Sequence, residues 1–502
     1  MDAPTNLSTG TRERKVIFCL CLLAAAHVLV FSAAFPFFNV VDEQVHLDLA
    51  VRYSQGDIPR SLAPPCAEVL PFIVIFGTPE YLWPPASQPG GIIAPPPWKQ
   101  PAETIQKKLH ATEANWKALV KNQEASQPPL YYSVAGAWWR LGKLLALDGG
   151  QLLYWLRFLN APLLAALVWL GGLAARNVFP ESRFIRLAVP ALIAVMPQTT
   201  FYAINNDILS PLTFGLAFVL LLKLGDAEAV SPRLAAALGL ALAATFLTKI
   251  SNLPLLAVAG MFIAWKMLRL AGNKNLRPAV PSLAILLLCA ALPMAAWMAW
   301  CAINFGDLTG TALKIQTLGW THKPVAEWFH HPIFTAAGGW YFLKGNLSTI
   351  WQGELLWQRQ PLALPAVDSV YVMLTLGAFA FTLAALLRRP SPFTTSQRAA
   401  VGFGFSGLAA ALAFFALLSV KYDFQDCFYP SRAHPFFVSG RLMLGMLIPF
   451  LLLFACGLDR LMNSFQNSTK LVVLFALLAF MLASEITIDW KIFPNEYNWF
   501  HL

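Results

Sequence analysis

Stretches of about twenty consecutive apolar residues recur along this chain, and few sequence features restrict a fold more. At 17–25 residues, each lies in the length range of helices that cross the hydrocarbon core of a bilayer. About eleven can be counted, at 16–38, 151–175, 187–203, 207–224, 234–250, 252–268, 279–302, 370–387, 399–420, 438–458 and 470–487. A segment in lipid has no water to satisfy its peptide groups, so it must bond them internally, and a helix does this. The expected fold class is an all-α integral membrane protein. The composition excludes a soluble globule: 57% of the 502 residues are hydrophobic and 12% charged, against roughly 45–50% and about 25% in soluble domains.

The net charge of +10 would suggest nucleic acid as the partner of a soluble chain. Here the Lys and Arg residues fall in short loops between apolar runs, where they set orientation in the membrane, so no nucleic-acid binding is expected. Arg12, Arg14 and Lys15 precede the first run, which is too long for a signal peptide and lacks a small-residue cleavage site. It reads as an uncleaved anchor with residues 1–15 cytoplasmic and 39–150 outside.

The segment 128–147, PPLYYSVAGAWWRLGKLLAL, is apolar enough to cross but holds Arg140 and Lys143 near its middle. If it crossed, Arg176, Arg183 and Arg186, and later Lys266, Arg269, Lys274 and Arg277, would all lie outside, against the positive-inside rule. As an amphipathic surface helix it lets its cations snorkel and sets Trp138 and Trp139 at headgroup depth. Arg388, Arg389, Arg398, Arg460 and Lys470 then fall inside. The chain divides into a transmembrane module, 16–302, containing the outer loop 39–150; a large outer loop, 303–369; C-terminal helices, 370–487; and an outer tail, 488–502. Trp83, Trp98, Trp116, Trp320, Trp328, Trp340, Trp351 and Trp357 all lie in the two outer loops, either as interfacial anchors or as a stacking surface for sugar or lipid.

Three polar motifs border the apolar runs. The first is Asn39-Val-Val-Asp42-Glu43-Gln-Val-His46-Leu-Asp48. If a helix starts here, Asp42 is its N-cap and shares a face with His46, while Glu43 points elsewhere. A solvated, capped helix start and a reactive carboxylate pair both fit this spacing. The second motif, Gln127-Pro-Pro-Leu-Tyr131-Tyr132, fixes an extended entry into the surface helix. The third, Pro197 to Asp207 with Asn205 and Asn206, is a polar hairpin between two runs, readable as a plain turn or as part of a site. The outer cations singled out here are Arg52, Arg60, Lys249, Lys421, Arg432 and Arg441, with His434 beside them. Arg441 lies just inside an apolar run, where it needs a carboxylate or a phosphate.

Together these motifs resemble the GT-C membrane glycosyltransferases, most closely a bacterial branch whose first outer loop reads Asp-Glu-x-x-His and whose late motif reads Gly-Arg-Tyr. Here Gly440-Arg441 is followed by Leu442. The resemblance is clearest over about 35–210 and 421–445. It implies a bacterial inner-membrane enzyme facing the periplasm that inverts the sugar as it moves a monosaccharide from a polyprenyl-phosphate donor to a hydroxyl of a glycan, lipid or protein acceptor. Asp42 is the expected base, with Glu43 or His46 orienting it or the acceptor. Arg441, Lys249 and Arg432 would hold the donor phosphate, and Asp207, Asn206, Tyr131 and Tyr132 would line the substrate pocket. Membrane lipids are the surroundings of such a site.

The resemblance leaves a divalent metal open. The sequence offers no firm ligand spacing; His322, His330 and His331 are the one loop cluster that zinc would use, and solvated surface is the plainer reading. Cys66 and Cys427, the two outer cysteines of seven, can pair in an oxidising compartment. The rival functions are a transporter or flippase for a lipid-linked saccharide, which should place ionisable groups within the spans, and a catalytically inert envelope scaffold.

Overall fold

The computed structural model describes residues 5–39, 42–77, 84–87, 89–91, 95–119, 121–272, 276–358, 360–427 and 429–502. Trp83 and Lys274 lie outside them. Among the described residues, nine helices are long and apolar enough to cross a membrane: Thr11–Ala34, Gly149–Val178, Asn206–Asp226, Ile250–Gly272, Pro278–Phe305, Pro365–Leu387, Thr395–Lys421, Gly440–Leu461 and Asn467–Asp489. Each overlies one of the expected runs.

Of the other two runs, one forms a shorter apolar helix and the other is broken, so nine rather than eleven long apolar helices are found among the described residues. Pro232–Thr248 is helical over 17 residues. The run 187–203 is broken: helix Arg183–Ala194 carries Pro190 inside it and stops before Pro197, and a short 3-10 turn, Thr199–Tyr202, follows. Proline lacks the donor that a continuing helix needs, and it pushes the residue before it out of the helical region. Among the described residues the strands form two two-residue pairs, Thr321–His322 with Tyr422–Asp423 and Leu356–Trp357 with Gln360–Pro361.

Segment 128–147 forms the helix Leu130–Leu144, 15 residues long. It packs against the helix Glu43–Ser54, and the approach is close: a Cβ on Gly136 would sit 2.7 Å from the Ser54 nitrogen and 3.0 Å from the Ala50 oxygen. Trp139 is fully buried against Phe72. Arg140 and Lys143 are both exposed; Arg140 donates to the Ser54 carbonyl and Lys143 pairs with Glu68. Trp138 stacks on Trp155 at 4.4 Å, and each indole N–H donates to the other residue's carbonyl.

A buried ion pair fixes where the first long helix ends. Arg157 donates from Nε to Glu43 Oε1 and from Nη2 to Glu43 Oε2, both at 2.7 Å, and both side chains are fully buried. Its remaining N–H groups reach the carbonyls of Ser32, Phe35 and Pro36, and its guanidinium lies 3.9 Å from the centre of the Phe37 ring. Glu43 also accepts from the backbone N–H groups of Phe38 (2.8 Å) and Ile204 (3.0 Å). One carboxylate thus ties the turn after the first helix to the hairpin 198–207. Removing one partner of such a pair strands the other in the interior. Arg157→Ala should therefore cost about 3–5 kcal/mol of stability, read as a lower midpoint of unfolding in detergent; an unchanged midpoint would contradict this role.

Candidate active site

Asp42 stands at the N-cap of the helix Glu43–Ser54, but its side chain makes no capping bond. Its backbone is left-handed, φ 66°, a conformation that L residues adopt at a cost and Asp tolerates better than most. The carboxylate is thereby directed away from the helix it begins. Asp42 Oδ1 accepts from Gln123 at 3.2 Å, and Oδ2 lies 3.6 Å from Arg441 Nη2. Its side chain keeps 24% of its surface exposed, the most open acid in the group described below.

Arg441 comes from the other end of the sequence, at the start of Gly440–Leu461. The preceding Gly440 is required: a Cβ there would collide with Asn346 O and Ile350 N of the helix Ala336–Gln352, which crosses at this point. Arg441 meets three carboxylates, Asp42, Asp207 (Nη1 to Oδ2, 2.8 Å) and Glu354 (Nε to Oε2, 3.0 Å). Asp207 uses its other oxygen for Lys249, which projects from the extended residue between two helix ends. The Asp207 N–H donates to Asn205 Oδ1 at 2.9 Å, which fixes the turn that presents it.

A second arm reaches the same place. The turn 122–127 is held to the helix Glu43–Ser54 by Asn122, whose amide donates to Val45 O and Asp48 Oδ2. It delivers Glu124, which pairs with Lys314 and accepts from Gln127 at 2.7 Å. Gln127 in turn accepts from Asn206 at 3.4 Å. The assembled group has four carboxylates, Asp42, Asp207, Glu124 and Glu354, against three cations, Arg441, Lys249 and Lys314. Burial raises the Glu354 carboxyl above its ordinary value, and the Arg441 guanidinium only partly offsets this. Burial also acts to raise Glu124, but Lys314, His46 and Lys249 more than cancel it and hold it at about 2.

His46 is fully buried one turn after Asp42, and Nδ1 lies 2.8 Å from the Tyr132 hydroxyl. Burial, reinforced by the Lys249 ammonium, brings the imidazole down to about 4 against the pull of Glu124, Asp42 and Asp207. Asp42, His46, Asp207, Asn206, Lys249, Arg441 and Tyr132 thus converge. Tyr131 is buried edge-on behind Tyr132 at 5.5 Å. Two candidates sit elsewhere. Glu43 is engaged by Arg157. Arg432 is 61% exposed and pairs with Asp423 and Gln425 in a surface loop, so it does not join the group.

Glu354, Glu124 and Lys314 were not among the sequence candidates. The available signal was weak: Glu354 and Lys314 are isolated charges in the Trp-rich segment 303–369, and Glu124 directly precedes the Pro-Pro-Leu-Tyr-Tyr motif. Among the described residues no group of three His, Cys, Asp or Glu side chains is placed to hold a metal ion. Both oxygens of Asp207 are committed to cations, so this donor set does not fit a divalent metal. His331 uses both ring nitrogens locally, with Pro435 O and Ile333 N–H, and His330 bonds Ala326 O, so this pair is not arranged as zinc ligands. Cys66 and Cys427 are both free thiols and are not paired with each other.

Residues 26–422 match the family model described as a predicted membrane protein, DUF2142. The chain belongs to the DUF2142 family. No curated protein matches this DUF2142 chain. Among solved structures, it is similar to the archaeal oligosaccharyltransferase AglB from Archaeoglobus fulgidus in complex with an inhibitory peptide and a dolichol-phosphate, at 12% identity and a TM-score of 0.40, covering 94% of this chain and 56% of that one. An Archaeoglobus fulgidus oligosaccharyltransferase tethered by a disulfide to an acceptor peptide with the NVT sequon gives 12% identity, a TM-score of 0.40, and 94% and 55% coverage. The DUF2142 chain spans little more than half the length of these chains.

Proposed function

We propose that this DUF2142 protein is a GT-C-type membrane glycosyltransferase that moves a monosaccharide from polyprenyl phosphate to an acceptor hydroxyl, with inversion, at the periplasmic face of a bacterial inner membrane. The acceptor is a glycan, lipid or protein. The observation that carries this reading is the meeting of a half-open carboxylate, Asp42, with the buried Arg441–Asp207–Lys249 group.

The chemistry follows from the two faces of that meeting. A sugar seated between Asp42 and Arg441 would place its phosphate toward Arg441 and Lys249 and its anomeric carbon toward Asp42. The acceptor oxygen bonds to the anomeric carbon as the bond from that carbon to the phosphate oxygen breaks. The acceptor proton passes to Asp42, and the electron pair leaves with polyprenyl phosphate. A positioned base is worth roughly 10²–10⁴-fold, and cations fixed where the phosphate charge develops lower the barrier without reorganising during the reaction. Glu43, through its bonds to Phe38 and Ile204, positions both Asp42 and the Asp207 hairpin.

A second reading, a transporter or flippase for a lipid-linked saccharide, is favoured by one observation. His27, within Thr11–Ala34, pairs at 2.8 Å with Glu485, within Asn467–Asp489, and Tyr202 donates to the same carboxylate. Ionisable groups inside spanning segments are functional candidates. The two readings separate when the full chain is reconstituted in vesicles with polyprenyl phosphate carrying a radiolabelled monosaccharide. The transferase reading expects cleavage of the sugar–phosphate bond, with label moving to an acceptor from the envelope fraction. Movement of the intact lipid-linked sugar between leaflets without cleavage would overturn it.

A further inference from the structure

The buried imidazole of His46 is only half used. Nδ1 is bonded to Tyr132, whereas Nε2, equally buried, has no hydrogen-bond partner. Such an orphan costs about 1–3 kcal/mol unless something completes it.

The proton positions follow from counting. A neutral imidazole carries one N–H, and Tyr132, whose burial raises its hydroxyl well above the ordinary value, keeps its proton. Among the described residues, the Tyr132 hydroxyl has His46 as its sole hydrogen-bond partner. If His46 carried its proton on Nδ1 and donated to Tyr132, the tyrosine O–H would have no acceptor and Nε2 would be a bare lone pair. That leaves two buried groups unsatisfied. If Tyr132 donates to Nδ1, one remains, the Nε2–H. The second arrangement costs less. The rings hold it in place, lying 5.9 Å apart and nearly parallel, at 18°.

The surroundings say what the N–H meets. His46 lies within electrostatic reach of Asp42 and Glu124 on one hand and of Lys249 and Asp207 on the other. On the proposed function Asp42 is the base and Lys249 a phosphate ligand, so a sugar held between them would come within reach of His46. We propose that His46 presents a neutral Nε2–H, its tautomer set by Tyr132, as a fixed donor to a hydroxyl oxygen of the transferred sugar. This deepens the glycosyltransferase reading and rests on it. A neutral donor suits the place, because a cation there would compete with Arg441 and Lys249 for the phosphate. The low value of about 4 keeps the ring uncharged across the physiological range. His46 is therefore a specificity-determining residue rather than the proton acceptor.

The test is nitrogen NMR of full-length protein labelled at histidine, with His46→Gln assigning the His46 signals. The wild type should show the Nε2-protonated tautomer from pH 5 to 8, and Tyr132→Phe should mix the two tautomers. Polyprenyl phosphate carrying mannose, glucose, galactose or arabinose in turn is then added, with bare polyprenyl phosphate as the control. At least one sugar lipid should shift the Nε2–H signal while the bare lipid leaves it in place. In transfer assays with that lipid, His46→Leu should raise KM roughly five- to tenfold with little change in kcat. An Nδ1-protonated or imidazolium ring near pH 7, an equal response to the bare lipid, or no response to any sugar lipid would overturn the proposal. If transfer is intact and one of those three results is found, the His46 assignment fails and the glycosyltransferase reading stands. If the tautomer is as described but no sugar lipid is turned over or sensed, both fail.

Discussion

Asp42→Asn is expected to cut sugar transfer by roughly 10²–10⁴-fold, the range over which a positioned base contributes. The substitution isolates the chemistry. Asn has the same shape and tolerates the left-handed backbone that residue 42 adopts, φ 66°. It can still accept from Gln123, as Asp42 does. It lacks the negative charge and the proton affinity. Arg441 would keep Asp207 and Glu354 as partners, so folding and donor binding should survive. The checks are turnover of a polyprenyl-phosphate sugar, donor binding by the same lipid, and the thermal midpoint. A large loss in the first with little change in the other two is the expected pattern. Equal losses in all three would make residue 42 a structural element.

Arg441→Gln should have the broadest effect. Arg441 is 9% exposed and serves three carboxylates whose side chains keep 1%, 16% and 24% of their surface. Without the guanidinium, Asp207 retains Lys249, while Glu354 loses its cation. A broken buried pair costs about 3–5 kcal/mol, and the donor phosphate loses its main counter-charge, so binding and transfer should both collapse. The pH dependence gives an internal check. The Glu354 carboxyl already lies above its ordinary value because it is buried, and losing Arg441 raises it further. A carboxyl raised by folding binds its proton more readily in the native state. Its stabilising effect is full below the unfolded value, about 4.3, and is lost as pH rises through the folded value. The stability deficit of the variant relative to wild type should therefore shrink as pH is lowered from 7 toward 4.5. A deficit that grows on acidification would show that another carboxylate dominates.

The helices were readable because hydrophobic length is a local property. Each of the nine crossing-length helices coincides with an apolar run. The run 187–203 misled because its apolar content hides Pro190 and Pro197, whose effect is on backbone geometry rather than on hydropathy. Local logic also recovered Asp42, Asp207, Lys249 and Arg441, since each is a charge at the edge of an apolar run with no neighbour to neutralise it. Their pairing was not readable: Asp207 and Arg441 are 234 residues apart in sequence. Glu354 and Lys314 lie in a long polar segment, where one charge looks like another until the segment folds over the site. Arg432 misled for the same reason, as an outer cation that its own loop neutralises through Asp423. Arg157 carried a usable signal, a solitary cation within the run 151–175, whose need for a buried carboxylate points to an acid such as Glu43.

The most direct test of the account is a structure of the full chain with polyprenyl-phosphate sugar bound. The donor phosphate is predicted to lie within hydrogen-bonding distance of Arg441 and Lys249, with the anomeric carbon turned toward Asp42. A lipid phosphate lodged elsewhere, with Asp42 still closed against Arg441 and no path between them, would contradict it.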